Sequence, residues 1–298
     1  MDQTRTLKAA MLGSGQFMVK LALLVIAAVL SRVLTKTDYA SYRQTILVFS
    51  VMAPLLLLGL PEALYYFLPR AEKNARGILT GNLLALLSAG AVFAVFLLAG
   101  GNSFLAERFA NPALKRLLLI YSPYALLALP VRAVDPCMVC SNRIKELTLY
   151  NIISRLFVTV VVIIMVLYWR TPEAAVAGSV ISAFLVFIAA FILMFCMMPP
   201  GSWQPSAGKM LEQIKYSVPL GIAAIIGTLH LSLDKIIVSS MCPTKDFAVY
   251  INGAVELPFV GIITGSIMSV LIPEFVVLYK KGELSRIMYL WRGALVKT

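Results

Sequence analysis

From Gly77 to Ala106, and again from Ala174 to Met198, the chain carries no charged side chain. Each stretch exceeds the roughly 20 apolar residues that carry a helix across a bilayer. In water such segments would have nothing to cover them. In lipid they must satisfy every backbone N–H and C=O internally, which leaves the α-helix or the closed barrel. The runs are continuous rather than alternating, so they read as helices and the fold class as an all-α transmembrane bundle.

Composition carries the same message. Sixty per cent of the 298 residues are hydrophobic and 13% are charged. A soluble domain holds roughly 25% charged residues. The net charge of +12 invites a nucleic-acid reading. However, the basic residues sit in short loops between apolar runs, where Lys and Arg anchor membrane proteins. No basic stripe with interleaved aromatics accompanies them, and no nucleic-acid partner is expected.

Eight apolar spans are expected, at roughly 13–33, 45–68, 77–99, 117–140, 150–169, 174–198, 217–240 and 247–275. Arg5 and Lys8 precede the first, as in a signal peptide. The run is long enough to span, and no small-residue cleavage pattern follows it, so it reads as a retained helix. Loop Lys and Arg divide fourteen to nine in favour of a cytoplasmic N-terminus. The second and eighth spans contain prolines and are expected to kink. Pro123, Pro130 and Pro136 mark the fourth.

Residues 201–216 form the longest polar break, with Met210, Leu211 and Ile214 on one face of a short amphipathic stretch. They read as an interfacial linker between a first six-helix lobe, residues 1–200, and the start of a second, residues 217–298. A repeat supports two similar halves. Asp38-Tyr39-Ala40-Ser41-Tyr42 returns as Asp246-Phe247-Ala248-Val249-Tyr250. Repeats embedded in apolar spans are the mark of transporters built by duplication. On this reading the chain ends before its second half is complete.

Enzyme chemistry finds little to work with. His230 is the single histidine. No Gly-rich phosphate loop, HExxH or paired-carboxylate motif is present. Cys137 and Cys140 form a CxxC without a second pair or a nearby His, so neither metal nor redox work is expected. No catalytic residue, metal or cofactor is assigned.

Charges within spans are costly in lipid and should face a partner or a wet cavity. They are Lys20, Glu62, Arg132, Asp135, Arg155, Asp234, Lys235 and Glu256. Lys20, Arg132, Arg155 and Lys235 are the candidates for an anionic substrate, since guanidinium and ammonium groups suit phosphates. Glu62, Asp135, Asp234 and Glu256 are the candidates for a coupling proton or Na⁺. Each has a plainer reading. Lys20 and Lys235 snorkel to the interface. Arg132 and Asp135, three apart, form a structural ion pair. Arg155 escapes to the membrane surface, and Asp234 ends a helix.

Several stretches resemble the polysaccharide and O-antigen flippases of the multidrug/oligosaccharidyl-lipid/polysaccharide exporter superfamily, relatives of MATE transporters. They are Leu30-Ser31-Arg32-Val33-Leu34-Thr35, Leu58-Gly59-Leu60-Pro61-Glu62-Ala63-Leu64, Tyr216-Ser217-Val218-Pro219-Leu220, Leu233-Asp234-Lys235-Ile236-Ile237-Val238 and Leu271-Ile272-Pro273-Glu274, together with both copies of the repeat. The resemblance implies two six-helix lobes around a cavity open alternately to either side of the cytoplasmic membrane. It implies transport of a polyprenyl-pyrophosphate-linked oligosaccharide among membrane lipids, beside glycan polymerase or ligase machinery. The alternatives are a cation-coupled MATE-type drug exporter, a membrane-embedded glycosyl or acyl transferase, and a non-enzymatic subunit of an envelope-biosynthesis complex.

Overall fold

The computed structural model describes residues 21–71, 74–197, 201–254, 275, 278 and 282–297. These are predominantly helical, with no strand among them. The first helix, α1, is described over Leu21–Val33.

The second span begins earlier than its apolar run. Helix α2 covers Lys36–Leu57. Thr35 is its N-cap: the Asp38 N–H donates to Thr35 Oγ1 at 3.1 Å, and the Thr35 hydroxyl returns a bond to the Asp38 carboxylate at 2.7 Å. This reciprocal cap starts the helix and places the first copy of the repeat in its opening turns. Pro54 lies inside α2, and the expected kink follows it. Leu58 (φ 45°) and Gly59 (φ 70°) both adopt the left-handed conformation. Helix α3, Leu60–Phe67, continues after the break, and a 3₁₀ turn closes the span at Arg70. A left-handed leucine costs about 1–2 kcal/mol. Contact with the seventh span holds it there, as described below.

The third span is α4, Ala75–Phe96, followed by a π turn at Leu97–Gly101 and by α5, Asn102–Arg108. The fourth is broken as its prolines foretell, into α6, Ala113–Tyr121, α7, Tyr124–Val131, and α8, Val134–Cys140. The bend at Ser122-Pro123 is 49°. Helices α9, Ile144–Trp169, and α10, Pro172–Met197, form an antiparallel hairpin. Among the described residues, five helical spans, and the bent pair as a sixth, are long and apolar enough to cross a membrane.

The linker differs from expectation. Residues 207–216 are not a separate interfacial helix but the first turns of α11, Ala207–Met241. The short connector before them is pinned: Trp203 stacks on Phe195 at 5.0 Å, and the Arg76 guanidinium lies 4.7 Å from the Trp203 ring. With its start fixed there, the amphipathic stretch has a protein surface to pack on, and Gln213 and Ser217 become buried. Helix α12, Thr244–Gly253, opens with the second copy of the repeat. The rest of the eighth expected span lies largely outside the described residues, as does the start of the first. A last helix, α13, covers Leu284–Lys297.

The two copies of the repeat meet. Tyr39, Ala40 and Tyr42 of α2 share one core with Phe247, Ala248 and Ile251 of α12, together with Leu30, Tyr121, Val162 and Val176. Helix α11 runs down the side of α2, α3 and α4. It comes close at Gly221: a Cβ there would lie 2.6 Å from the Leu58 carbonyl carbon. A Cβ on Gly59 would lie 2.5 Å from the Ser217 carbonyl oxygen. The broken second span and the seventh therefore touch backbone to backbone, as small residues permit in membranes.

Candidate functional site

The charges of the fourth and fifth spans gather with a group of tyrosines. Arg155, on α9, is half-buried and lies within electrostatic reach of Arg132, Tyr124 and Tyr42. The Tyr121 and Tyr124 rings stack at 4.4 Å, and Phe49 meets Tyr124 edge-on at 5.0 Å. Asp135, in the first turn of α8, accepts a long 3.5 Å hydrogen bond from the Asn151 side chain. Tyr65 of α3 lies within electrostatic reach of both Asp135 and Glu62.

The expected Arg132–Asp135 ion pair does not form. The ion pairs among the described residues are Arg116–Glu173 and Arg286–Glu283. The three-residue spacing presumed an unbroken helix, but α7 ends at Val131 and α8 begins at Val134. Asp135 turns to Asn151, and Arg132 stays exposed. Hence Arg132 lies within electrostatic reach of both Arg155 and Asp135, and among the described residues neither arginine closes an ion pair.

Asp234 and Lys235 bond elsewhere. The Tyr250 hydroxyl donates to the Asp234 carboxylate at 2.6 Å, joining α12 to α11. Lys235 donates to the Leu231 carbonyl of its own helix at 2.9 Å. Glu62 is exposed in the first turn of α3. Lys20 and Glu256 lie outside the described residues. His230 is exposed on α11, and Cys137 and Cys140 are free thiols.

Charge alone misses the polar groups that tie α11 to the preceding helices. Near its C-terminal end, the buried Gln44 side-chain amide donates to Ser239 at 3.1 Å. Asn111 donates to the Gln44 carbonyl at 2.6 Å and to Ser41 at 2.8 Å. Tyr39 donates to Asn252 at 2.6 Å. Near its N-terminal end, Asn82 donates to Gln213 at 3.1 Å and to the Leu60 carbonyl at 2.8 Å, while Gln213 donates to the Ile78 carbonyl at 3.3 Å. Tyr66 stacks on Tyr216 at 4.7 Å, with Phe67 edge-on to the same ring at 5.7 Å. Gln213 and Ser239 are about 39 Å apart along a straight helix. That exceeds a hydrocarbon core of about 30 Å, so the two clusters lie near opposite faces of the membrane. The available signal was an uncharged amide inside an apolar run, as at Gln44 and Asn82.

The chain matches a family model described as "Polysaccharide biosynthesis protein" over residues 7–278. No curated protein matches it. Its fold is shared with solved transporters. One is the MATE multidrug transporter DinF-BH, solved in complex with a ligand, with TM-score 0.66 and 14% identity, covering 90% of this chain and 61% of the other. Another is the inward-facing conformation of a multidrug resistance MATE family transporter of the MOP superfamily, with TM-score 0.64 and 14% identity, covering 93% and 66%. The chain thus spans less than two thirds of either structure. Identity this low speaks for the fold alone. With the family match over most of its length, the chain belongs to the polysaccharide biosynthesis protein family, as a multi-pass membrane protein of MATE-like transporter fold.

Proposed function

We propose that this chain is part of a transporter that flips a polyprenyl-pyrophosphate-linked oligosaccharide across the cytoplasmic membrane, with its N-terminus on the cytoplasmic side. The observation that carries the reading is the pair Arg132 and Arg155, within electrostatic reach of each other and in no ion pair among the described residues. A charge inside a membrane-spanning segment is a functional candidate by default. Two guanidinium groups match a pyrophosphate, whose oxygens accept paired hydrogen bonds. The lipid tail stays in the bilayer, and no bond is made or broken. Lys20 and Lys235 would add positive charge along the path, and Asp135, Glu62, Asp234 or Glu256 would take up a coupling ion.

Alternating access asks for contacts between helices that open on one side while closing on the other. The polar and aromatic clusters at either end of α11 suit that work. A second reading, a cation-coupled exporter of the MATE type, draws on Asp135 and Glu62 flanking Tyr65. The two readings separate in proteoliposomes. Arg132→Ala and Arg155→Ala should each slow flipping of a fluorescent lipid-linked oligosaccharide by about tenfold or more, the loss of one charge-assisted contact. Full flipping by the double variant would overturn the proposal. Efflux of a cationic dye that fails in Asp135→Asn, with flipping absent from the wild type, would favour the exporter.

A further inference from the structure

The α9–α10 hairpin is closed at one end and open at the other. Near its loop, Gly178 lets α10 approach α9 so closely that a Cβ there would lie 3.2 Å from the Val162 Cα. Toward the opposite end a groove of about 550 Å³ runs along the two helices. Its α9 wall repeats at helical spacing, Glu146, Leu149, Tyr150, Ile153, Ser154 and Phe157, and its α10 wall includes Leu185, Ala189 and Leu193. The walls are apolar, and Leu149 and Ile153 remain more than half exposed. The mouth holds Arg143 and Glu146. Both are exposed, and the two form no ion pair with each other. The Tyr150 hydroxyl is buried, with Ser154 nearby and Asp135 within electrostatic reach, but makes no well-formed hydrogen bond.

We propose that this groove is a binding site for one zwitterionic aminophospholipid. Its occupant must be apolar along its length and carry both signs of charge at one end. Arg143 meets the phosphate and Glu146 meets the ammonium. An ordered acyl chain follows Leu149, Ile153 and Phe157 inward. The rise from Glu146 to Phe157 is about 16 Å, close to half of a ~30 Å hydrocarbon core, which is the depth of one leaflet. An anionic lipid would satisfy Arg143 but set its charge against Glu146. The proposal does not depend on the transport reading.

The test is native mass spectrometry of the protein purified in mild detergent, after exchange into equal phosphatidylethanolamine and phosphatidylglycerol. The wild type should retain one phosphatidylethanolamine per chain, about tenfold over phosphatidylglycerol. Ala189→Trp fills the groove and should abolish retention. Glu146→Gln, at the exposed mouth and harmless to folding, should erase the preference between the two lipids. It decides the matter alone if the tryptophan variant fails to fold. No tightly retained lipid in the wild type, a preference for phosphatidylglycerol, or a preference that survives Glu146→Gln would each overturn the proposal.

Discussion

The two ends of α11 are fastened by different chemistry. At the Ser239 end the contacts are hydrogen bonds between side chains, running from Ser41 through Asn111 and Gln44 to Ser239, with Tyr39–Asn252 beside them. At the Gln213 end an aromatic trio, Tyr66, Phe67 and Tyr216, does much of the packing, and the amides lean on backbone carbonyls. The second end is also less complete, because the Asn82 side-chain oxygen is buried without a partner. A buried acceptor left unmet costs about 1–3 kcal/mol. The same helix is therefore held firmly at one membrane face and with residual strain at the other. Between them, Gly59 and Gly221 keep the backbones in contact. In physical terms, the Gln213 end is the cheaper one to open.

The sharpest way to break this arrangement is between the two ends. Gly221→Leu drives a side chain into the Leu58 backbone. It should cost about 3 kcal/mol and lower the apparent Tm in detergent more than any other change considered. Asn111→Ala comes next. It removes two buried hydrogen bonds and orphans the Gln44 carbonyl, a loss of about 2 kcal/mol. Tyr216→Ala removes the stacked and edge-on ring contacts at the opposite end, worth about 1.5 kcal/mol. Asn82→Ala should cost less than Asn111→Ala, about 1 kcal/mol, because it also removes the unmet acceptor. If thermal scans reverse the order of Asn111 and Asn82, the contrast between the ends is wrong. Tyr39→Phe sharpens it most gently. It deletes one hydrogen bond to Asn252, about 1 kcal/mol, and places in the first copy of the repeat the ring that Phe247 supplies in the second.

Much of this was legible in advance, for reasons that differ by residue. The charge-free runs at Gly77 and Ala174 leave no alternative to a membrane helix. Pro54 announces the break that Leu58 and Gly59 complete. The early start of α2 was written in Thr35 and Asp38, a capping pair that hydropathy overlooks. The fate of residues 207–216 was not local information: the amphipathic stretch suits a membrane surface equally well, and Trp203 packing on Phe195 decides otherwise. The Arg132–Asp135 pair failed because spacing counts residues along a helix and cannot show where tertiary contacts break it. The polar clusters escaped notice because attention to charge passes over amides. Asn and Gln in lipid also need partners, and here those partners lie on other helices, far away in sequence.

One measurement tests the transport account most directly. In a protein cleared of Cys137, Cys140, Cys196 and Cys242, paired cysteines would replace Gln44 and Ser239 in one variant and Asn82 and Gln213 in another. Each pair would be bridged by a short reducible bis-thiol cross-linker. The readout is flipping of lipid-linked oligosaccharide in proteoliposomes before and after reduction. The account predicts that either bridge alone stops flipping and that reduction restores it, since each end must open in turn. Flipping that continues at full rate with either end locked would contradict it.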